Sequence, residues 1–410
     1  MDFFKFLNES VTPFHTVDCL KHIFQESGNG RFRIWERGGM LIVALQPPNG
    51  KAHAGSRFRI VMAHTDFPAL KITPNPDLRT AGIQTLHPEI YGSPIYTSWF
   101  DRDLGYAGIV LYELNGKIEN TLIRSQELVR IPQLAIHLNR NVNQDGQKVN
   151  PQTDLNALWS SREGARFVDA LLAQLPKGAR LLDFDIQLFD AQPAQYGGLD
   201  KEWVFSSRLD NLSSCHAAAM GLMNASDSSD FKVACFFNNE EVGSLTREGA
   251  AGNFLKSVLD QMLAENGLYQ IGNPKIPLDK FFSESHAISL DMAHAEHPNF
   301  PEKSEPNHAP ILGKGVALKI NSQKRYASDV FSSAWFKTLC SGVGVPFQTF
   351  VMRNDIPCGS TVGPMVSAAL GIPTVDVGEP MLSMHSIREM TAAQDHKDLE
   401  KLISYYFRKA

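Results

Sequence analysis

The sequence predicts an α/β protein: a mostly parallel sheet with helices on both faces, interrupted by a smaller β-rich insertion. Three observations carry this. Val233-Ala234-Cys235-Phe236-Phe237 is an apolar run with the length of a buried parallel strand, and it stops abruptly at Asn238-Asn239-Glu240-Glu241. Similar runs end at Ala63-His64-Thr65-Asp66, at Asp291-Met292-Ala293-His294, and at Gly378-Glu379-Pro380 ahead of Met384-His385-Ser386. Between 72 and 195 this rhythm gives way to short alternating segments and turn residues.

In chain order, Phe3, Phe4 and Leu7 recur at helical spacing, and 16–25 is a second amphipathic stretch. Residues 31–35 and 40–45 read as strands separated at Gly38-Gly39, and Pro47-Pro48-Asn49-Gly50 is a turn. Pro74-Asn75-Pro76 is expected to break the chain after the strand ending near His64. Strands follow at 82–86, 106–111, 121–123 and 133–136, then an exposed loop over 139–156, a helix over 165–175 and a strand over 182–189. From 196 the α/β alternation resumes. Helices are expected at 212–223, 252–265, 327–342 and from a Ser360 cap to Leu370, with strands at 345–352 and beyond Gly371. Two domains result, as a length of 410 residues suggests. Residues 1–71 and 196–410 form one discontinuous domain, and 72–195 form the insertion, a lid or an oligomer contact.

The composition is that of an ordinary globular chain, 43% hydrophobic and 20% charged. A net charge of −5 gives no electrostatic reason to expect nucleic acid or an anionic membrane surface. No stretch approaches the roughly 20 apolar residues of a membrane span, and the start of the chain carries acids without the apolar core of a signal peptide. Cys19, Cys215, Cys235, Cys340 and Cys358 are odd in number and lack a C-x-x-C pair, so they read as reduced and structural. The expected setting is the cytoplasm.

Open α/β sheets bind ligands beyond the carboxyl ends of their strands. Two adjacent carboxylates at such an exit suit a division of labour, one on a metal and one taking a proton; the alternative is acids placed at a helix N-terminus. Histidine and carboxylate at successive exits point to a first-row metal held by nitrogen and oxygen.

Several ordered motifs resemble those of the aspartyl aminopeptidase family of metallopeptidases over essentially the whole chain. They are Ala63-His64-Thr65-Asp66, Arg208-Leu209-Asp210-Asn211, Asn239-Glu240-Glu241-Val242-Gly243-Ser244 and the run from Asp291 to Asn299. Lys319-Ile320-Asn321, Arg325-Tyr326-Ala327, Arg353-Asn354-Asp355, Cys358-Gly359-Ser360-Thr361-Val362-Gly363-Pro364 and Met384-His385-Ser386-Ile387-Arg388-Glu389 continue the likeness. The resemblance implies a zinc-peptidase catalytic domain with an inserted dimerisation domain. It implies two divalent metal ions per subunit, zinc ahead of cobalt or manganese, and assembly of dimers into a dodecamer. The substrates implied are peptides with a free N-terminus, Asp or Glu preferred. His64, Asp210 and Asp291 would hold one ion; Asp210, Glu241 and His385 would hold the other, with Asp210 bridging. Glu240 would be the general base, and Lys319 and Tyr326 would contact an acidic first side chain. His137 would reach a neighbouring subunit's site and stabilise the oxyanion, whereas by itself it reads as a strand histidine.

The chemistry fits these residue types. A bridging carboxylate offers two oxygens at fixed separation, and a base that takes up and returns a proton cannot also be a tight ligand. Asp66 is placed either to hydrogen-bond the other nitrogen of His64 or to be a surface carboxylate; His294 and His297 are taken as supporting or structural. Phe67, Tyr91-Gly92-Ser93-Pro94 and Ser304 depart from the family pattern, which bears on pocket shape and on the strictness of an acidic preference. A related co-catalytic amidohydrolase, a deacylase or carboxypeptidase, would instead need a pocket for a free carboxylate. A catalytically silent assembly protein would have no need of the intact set.

Overall fold

All seven residues of the strand Phe231–Phe237 are buried, as a central strand covered on both faces requires. It belongs to an eight-stranded sheet in a computed structural model that describes residues 1–26, 28, 30–269 and 278–408. The order is Arg33–Arg37, Met40–Leu45, Phe231–Phe237, Phe58–His64, His286–Leu290, Thr374–Gly378, Val316–Ile320 and Phe347–Val351. The third to sixth of these run parallel. Met40–Leu45 joins Phe231–Phe237 antiparallel and forms a hairpin with Arg33–Arg37. Val316–Ile320 and Phe347–Val351 are parallel to each other and reversed relative to Thr374–Gly378. The register aligns Phe237 with His64 and Leu290 with Val377, so the four parallel strands end at one edge.

The chain divides into two units. The first comprises Met1–Asp66, Ala194–Met384 and Glu389–Ala410. On one face of its sheet, Phe254–Glu265 buries Leu255, Val258, Leu259, Met262 and Leu263 at helical spacing, beside Val362, Val366 and Leu370 of Val362–Leu370. The helix Leu209–Met223 is buried along almost its whole length and packs against Ala393–Arg408. A five-stranded sheet in the same unit joins Gln195–Gly197, Trp203–Ser206, Glu389–Ala392, Pro380–Leu382 and Ala293–His294. Helix starts differ from the sequence reading for local reasons. Pro13 opens Pro13–Glu26, since proline fits a first turn that needs no N–H partner. Asp329 and Ser332 form a capping box that starts Val330–Val343 later than expected, and Thr361 rather than Ser360 is the N-cap of Val362–Leu370.

The second unit is Phe67–Pro193 with His385–Arg388. Its six-stranded sheet, in the order Lys117–Arg124, Leu104–Leu114, Arg180–Asp190, Ala69–Thr80, Ile83–Tyr91 and Ala157–Ser160, is antiparallel throughout. Leu70, Leu86, Val110, Phe167 and Ile186 fill its core. The limits differ from 72–195 because strand pairing begins at Ala69 and because 385–388 is bonded here. The His385 carbonyl accepts the Ile95 N–H at 2.9 Å, the Ile387 N–H donates to Ser98 Oγ at 3.0 Å, and Ile387 joins the core. Pro74 and Pro76 do not break the chain: Ala69–Thr80 runs through them, and the pairing shifts register between Ile72 and Asp77 where the missing N–H groups are tolerated. The expected strand over 133–136 is a turn-rich exposed segment instead, because its apolar residues find no sheet to pack on: Leu134 is 58% and Ile136 46% exposed. All five cysteines are free thiols, four of them buried. Among the described residues no helix is long and apolar enough to cross a membrane.

Candidate metal centre at the strand tips

His64 is the last residue of Phe58–His64, and the chain turns away immediately after it: the Thr65 N–H donates to the Phe237 carbonyl at 2.7 Å and its hydroxyl to Gly39 O at 2.6 Å. His64 Nδ1 lies 3.0 Å from the Asp66 carbonyl and 3.4 Å from its Oδ1. With both acceptors on the Nδ1 side, the ring proton belongs there and Nε2 is left as the donor atom. Nε2 lies 3.6 Å from Asp210 Oδ1 and 3.9 Å from Asp291 Oδ2. The three residues each offer a donor atom within 4.8 Å of the other two, and all three are buried. One nitrogen and two carboxylate oxygens at that spacing suit a divalent ion such as zinc.

Each carboxylate is fixed through its backbone. Asp210 stands in the first turn of Leu209–Met223, where its N–H donates to Glu389 Oε2 at 3.1 Å, and the Asn211 side chain donates to the Leu290 carbonyl at 2.8 Å. The Asp291 N–H donates to Val377 O at 3.0 Å. A Cβ on Gly378 would meet the Asp291 carbonyl oxygen at 1.8 Å, so only glycine allows the neighbouring strand so close. The Lys319 ammonium donates to the carbonyls of Asp291 and Met292 at 3.0 and 2.8 Å and lies 3.4 Å from Asp291 Oδ1. It is 3% exposed and sits 5.0 Å from the Tyr326 ring centroid, which rules out a surface lysine.

Glu240 and Glu241 follow Asn239, which is left-handed at φ 61°, in a single tight turn closed by Gly243. Asp66 is wholly buried and holds that turn, accepting the N–H groups of Glu240 and Glu241 at 3.1 Å each. It is therefore not a surface carboxylate. His64, Glu240 and Glu241 also place donor atoms within 4.8 Å of one another. Burial pushes the Glu240 carboxyl up to about 9; the His64 charge pulls down, while Asp291, Glu241 and Asp66 push further up. For His64, burial disfavours the cation, but the Asp66 hydrogen bond and the charges of Glu240, Asp66 and Asp291 lift it well above its usual value. Burial, then the neighbouring Cys358, keeps the Tyr326 phenol protonated. Cation-attracting carboxylates crowd this edge, and a bound dication is what would relieve them.

His385 stands in the second unit at φ 66°, its Nδ1 3.1 Å from the Ser93 carbonyl. His137 lies exposed in the turn after 133–136, not in a strand. His294 and His297 line a cavity of about 500 Å³ together with Phe300, Lys303, Phe350 and Arg353. The sequence reading passed over Glu389, Asn211 and Cys215, whose thiol donates to the His64 carbonyl at 3.0 Å. Glu389 and Asn211 stand inside quoted motifs; Cys215 carries no sequence signal beyond helical burial.

This donor set, on one edge of an α/β sheet, is that of a metal-dependent hydrolase rather than of an enzyme with a side-chain nucleophile. Residues 6–407 match the family described as aminopeptidase I zinc metalloprotease (M18). The probable M18 family aminopeptidase 2 of Stutzerimonas stutzeri strain A1501 is 38% identical over 428 aligned positions, covering 99% of this chain and 97% of that protein. The protein of the same name from Pseudomonas aeruginosa strain UCBPP-PA14 is 36% identical, covering 98% and 96%. Among solved structures, the Ape4 and Nbr1 complex superposes with a TM-score of 0.90 at 32% identity, over 99% of this chain and 84% of that one. The S. cerevesiae mApe1 dodecamer gives 0.84 at 26% identity, over 99% and 95%. The chain belongs to the M18 family and is a metal-dependent aminopeptidase.

Proposed function

We propose that this aminopeptidase is dinuclear and removes N-terminal residues from peptides, Asp and Glu preferentially. The observation that carries the reading is the His64–Asp210–Asp291 donor triangle with Glu240 beside it. One zinc ion would be held by that triangle. Asp210, Glu241 and His385 would hold a second, His385 being assigned by the family resemblance. When bound, such a pair polarises the scissile carbonyl and lowers the pKa of bound water to about 7.

The side chains do the rest. Asp66 orients His64 and the glutamate turn. Glu240, ionised once a bound dication offsets its burial, would take a proton from the attacking water and return it to the departing amine. Lys319 and Tyr326 place a cation and a phenol beside Asp291, and a carboxylate on the first substrate side chain is their proposed partner. The cavity lined by His294, His297, Lys303 and Arg353 adds basic groups near the same segment. His137 supplies an oxyanion donor to a neighbouring subunit. Self-association of this kind is supported by the exposed apolar Leu134, Ile136 and Leu138 around His137 and by the dodecameric mApe1 neighbour. A cytoplasmic setting accords with the free thiols.

The test is a panel of Asp-, Glu- and Leu-anilides and N-acyl amino acids, run with metal analysis of the purified protein. Preferred cleavage of the acidic anilides with two ions per subunit is expected. Turnover of N-acyl amino acids alone, or a single ion in a fully active enzyme, would overturn the proposal.

A further inference from the structure

Away from the strand tips, His216 on Leu209–Met223 and His396 on Ala393–Arg408 are 3% and 4% exposed. The outward nitrogen of each ring faces an acceptor. His396 Nδ1 lies 2.8 Å from Glu379 Oε1, and Ser213 Oγ, 3.0 Å from the same nitrogen, is 2.8 Å from both Glu379 oxygens. His216 Nε2 lies 3.2 Å from the Met1 carbonyl oxygen. A carboxylate and a carbonyl only accept, so the ring protons belong on those two nitrogens. The inward nitrogens then carry lone pairs, yet His216 Nδ1 and His396 Nε2 face each other at 3.1 Å. Glu400 Oε1 closes the triangle, 3.1 Å from the first and 3.7 Å from the second. Three lone pairs cannot satisfy one another; a cation must stand among them.

On His216 a proton fills that place poorly. It would create an imidazolium behind an aromatic wall, where the Phe3 ring stacks on His396 at 3.7 Å and lies 5.0 Å from His216, with Phe6 5.5 Å from His216. Burial holds the His216 imidazole below its ordinary value. Glu400 is held below the usual carboxylate value: burial opposes ionisation, but the His216 hydrogen bond and the charges of both histidines outweigh it. The inward nitrogens of both rings and the Glu400 carboxylate converge as metal ligands do. Tetrahedral donors at about 2.0–2.1 Å from an ion stand about 3.3–3.4 Å apart, and the three separations of 3.1, 3.1 and 3.7 Å bracket that value.

We propose that His216, His396 and Glu400 form a further binding site for a divalent transition ion, zinc first, separate from the strand-tip centre. Supporting features are built in. Glu379 fixes the His396 tautomer in the manner of carboxylate–histidine–metal triads. His396 and Glu400 are spaced four apart on one helix face. The ion would balance Glu400 and the fully buried Glu379. The Glu400 side chain is 31% exposed, which gives access and room for a water as fourth ligand. An ion here clips Ala393–Arg408 onto Leu209–Met223, the helix whose first turn carries Asp210.

The experiment uses the full chain carrying His64→Ala and Glu241→Ala to disable the strand-tip centre. This protein is stripped with chelator and titrated with Zn²⁺ alone, with Co²⁺ as an absorbance probe. It should bind zinc with a rise in Tm and show the intense visible bands of tetrahedral cobalt. Adding Glu400→Gln or His396→Gln should lower the stoichiometry by one ion per subunit and remove both responses. Glu400→Gln lies at the helix surface and carries the test if His396→Gln fails to fold. An unchanged zinc count in the Glu400→Gln protein, or no zinc taken up by the parent while Tm responds only to pH, would overturn the proposal.

Discussion

Replacing Lys319 with methionine separates two accounts of how this lysine acts. The substitution keeps the apolar stem and deletes the ammonium, and with it the bonds to Asp291 O at 3.0 Å and Met292 O at 2.8 Å and the approach to Asp291 Oδ1 at 3.4 Å. A hydrogen bond involving a charged group contributes about 1.5–3 kcal/mol, and breaking a buried ion pair from one side costs about 3–5 kcal/mol. That cost falls on the segment that presents the Asp291 carboxylate. Residues that orient metal ligands typically change metal affinity by roughly 10–100-fold, so zinc affinity should drop by that order. Activity at limiting zinc should fall for both Asp- and Leu-anilides, with a further loss for the Asp-anilide that persists at saturating zinc. Calorimetric zinc titration of the stripped protein, a thermal melt and both substrates at limiting and at saturating zinc form the assay. Loss confined to the Asp-anilide, with zinc affinity and Tm unchanged, would refute the clamp reasoning and leave Lys319 as a substrate contact only.

Other outcomes follow from the same geometry. Glu240→Gln, close to isosteric, should keep its metal and lose roughly 10²–10⁴ in kcat, the range of a general base; near-wild-type turnover would remove Glu240 from that role. Gly378→Ala forces a methyl into the Asp291 carbonyl, an overpacking cost of about 1–3 kcal/mol, and should lower both Tm and zinc content; an unchanged melt would show that the strand yields freely. Lys232, fully buried within Phe231–Phe237, has its ammonium pulled down to about 8, chiefly by burial and then by Arg59. When the folded value of a base is lowered, the unfolded chain holds the proton more strongly, so this group's contribution to stability rises with pH from about 8 to its ordinary 10.5. Lys232→Met should flatten that rise in chemical-denaturation curves, and an identical slope would contradict the assignment.

What the sequence revealed, and what it hid, divides along physical lines. The strand tips were legible because a fully buried strand must be apolar to its end, so a histidine or carboxylate that follows at once stands where the sheet meets solvent. The expected strand over 133–136 failed because alternation marks a surface with one apolar side, not the partner that side requires; Leu134 and Ile136 stay exposed within the unit. Pro74 and Pro76 misled in the other direction, since a register shift absorbs missing N–H groups without ending a strand. Lys319 was expected, by resemblance, to contact an acidic first side chain; the backbone carbonyls it bonds are not visible in a sequence.

The His216, His396 and Glu400 cluster is the limiting case. Its two histidines are 180 residues apart in the chain, and each sits on a helix whose pattern accounts for it as a core position. Only the direction of their ring protons, fixed by Glu379 and the Met1 carbonyl, turns two buried histidines into converging lone pairs. The same logic leaves Nε2 of His64 facing Asp210 and Asp291: Asp66 occupies the other side of the ring. In both places the acceptor behind the ring sets which nitrogen faces the carboxylates.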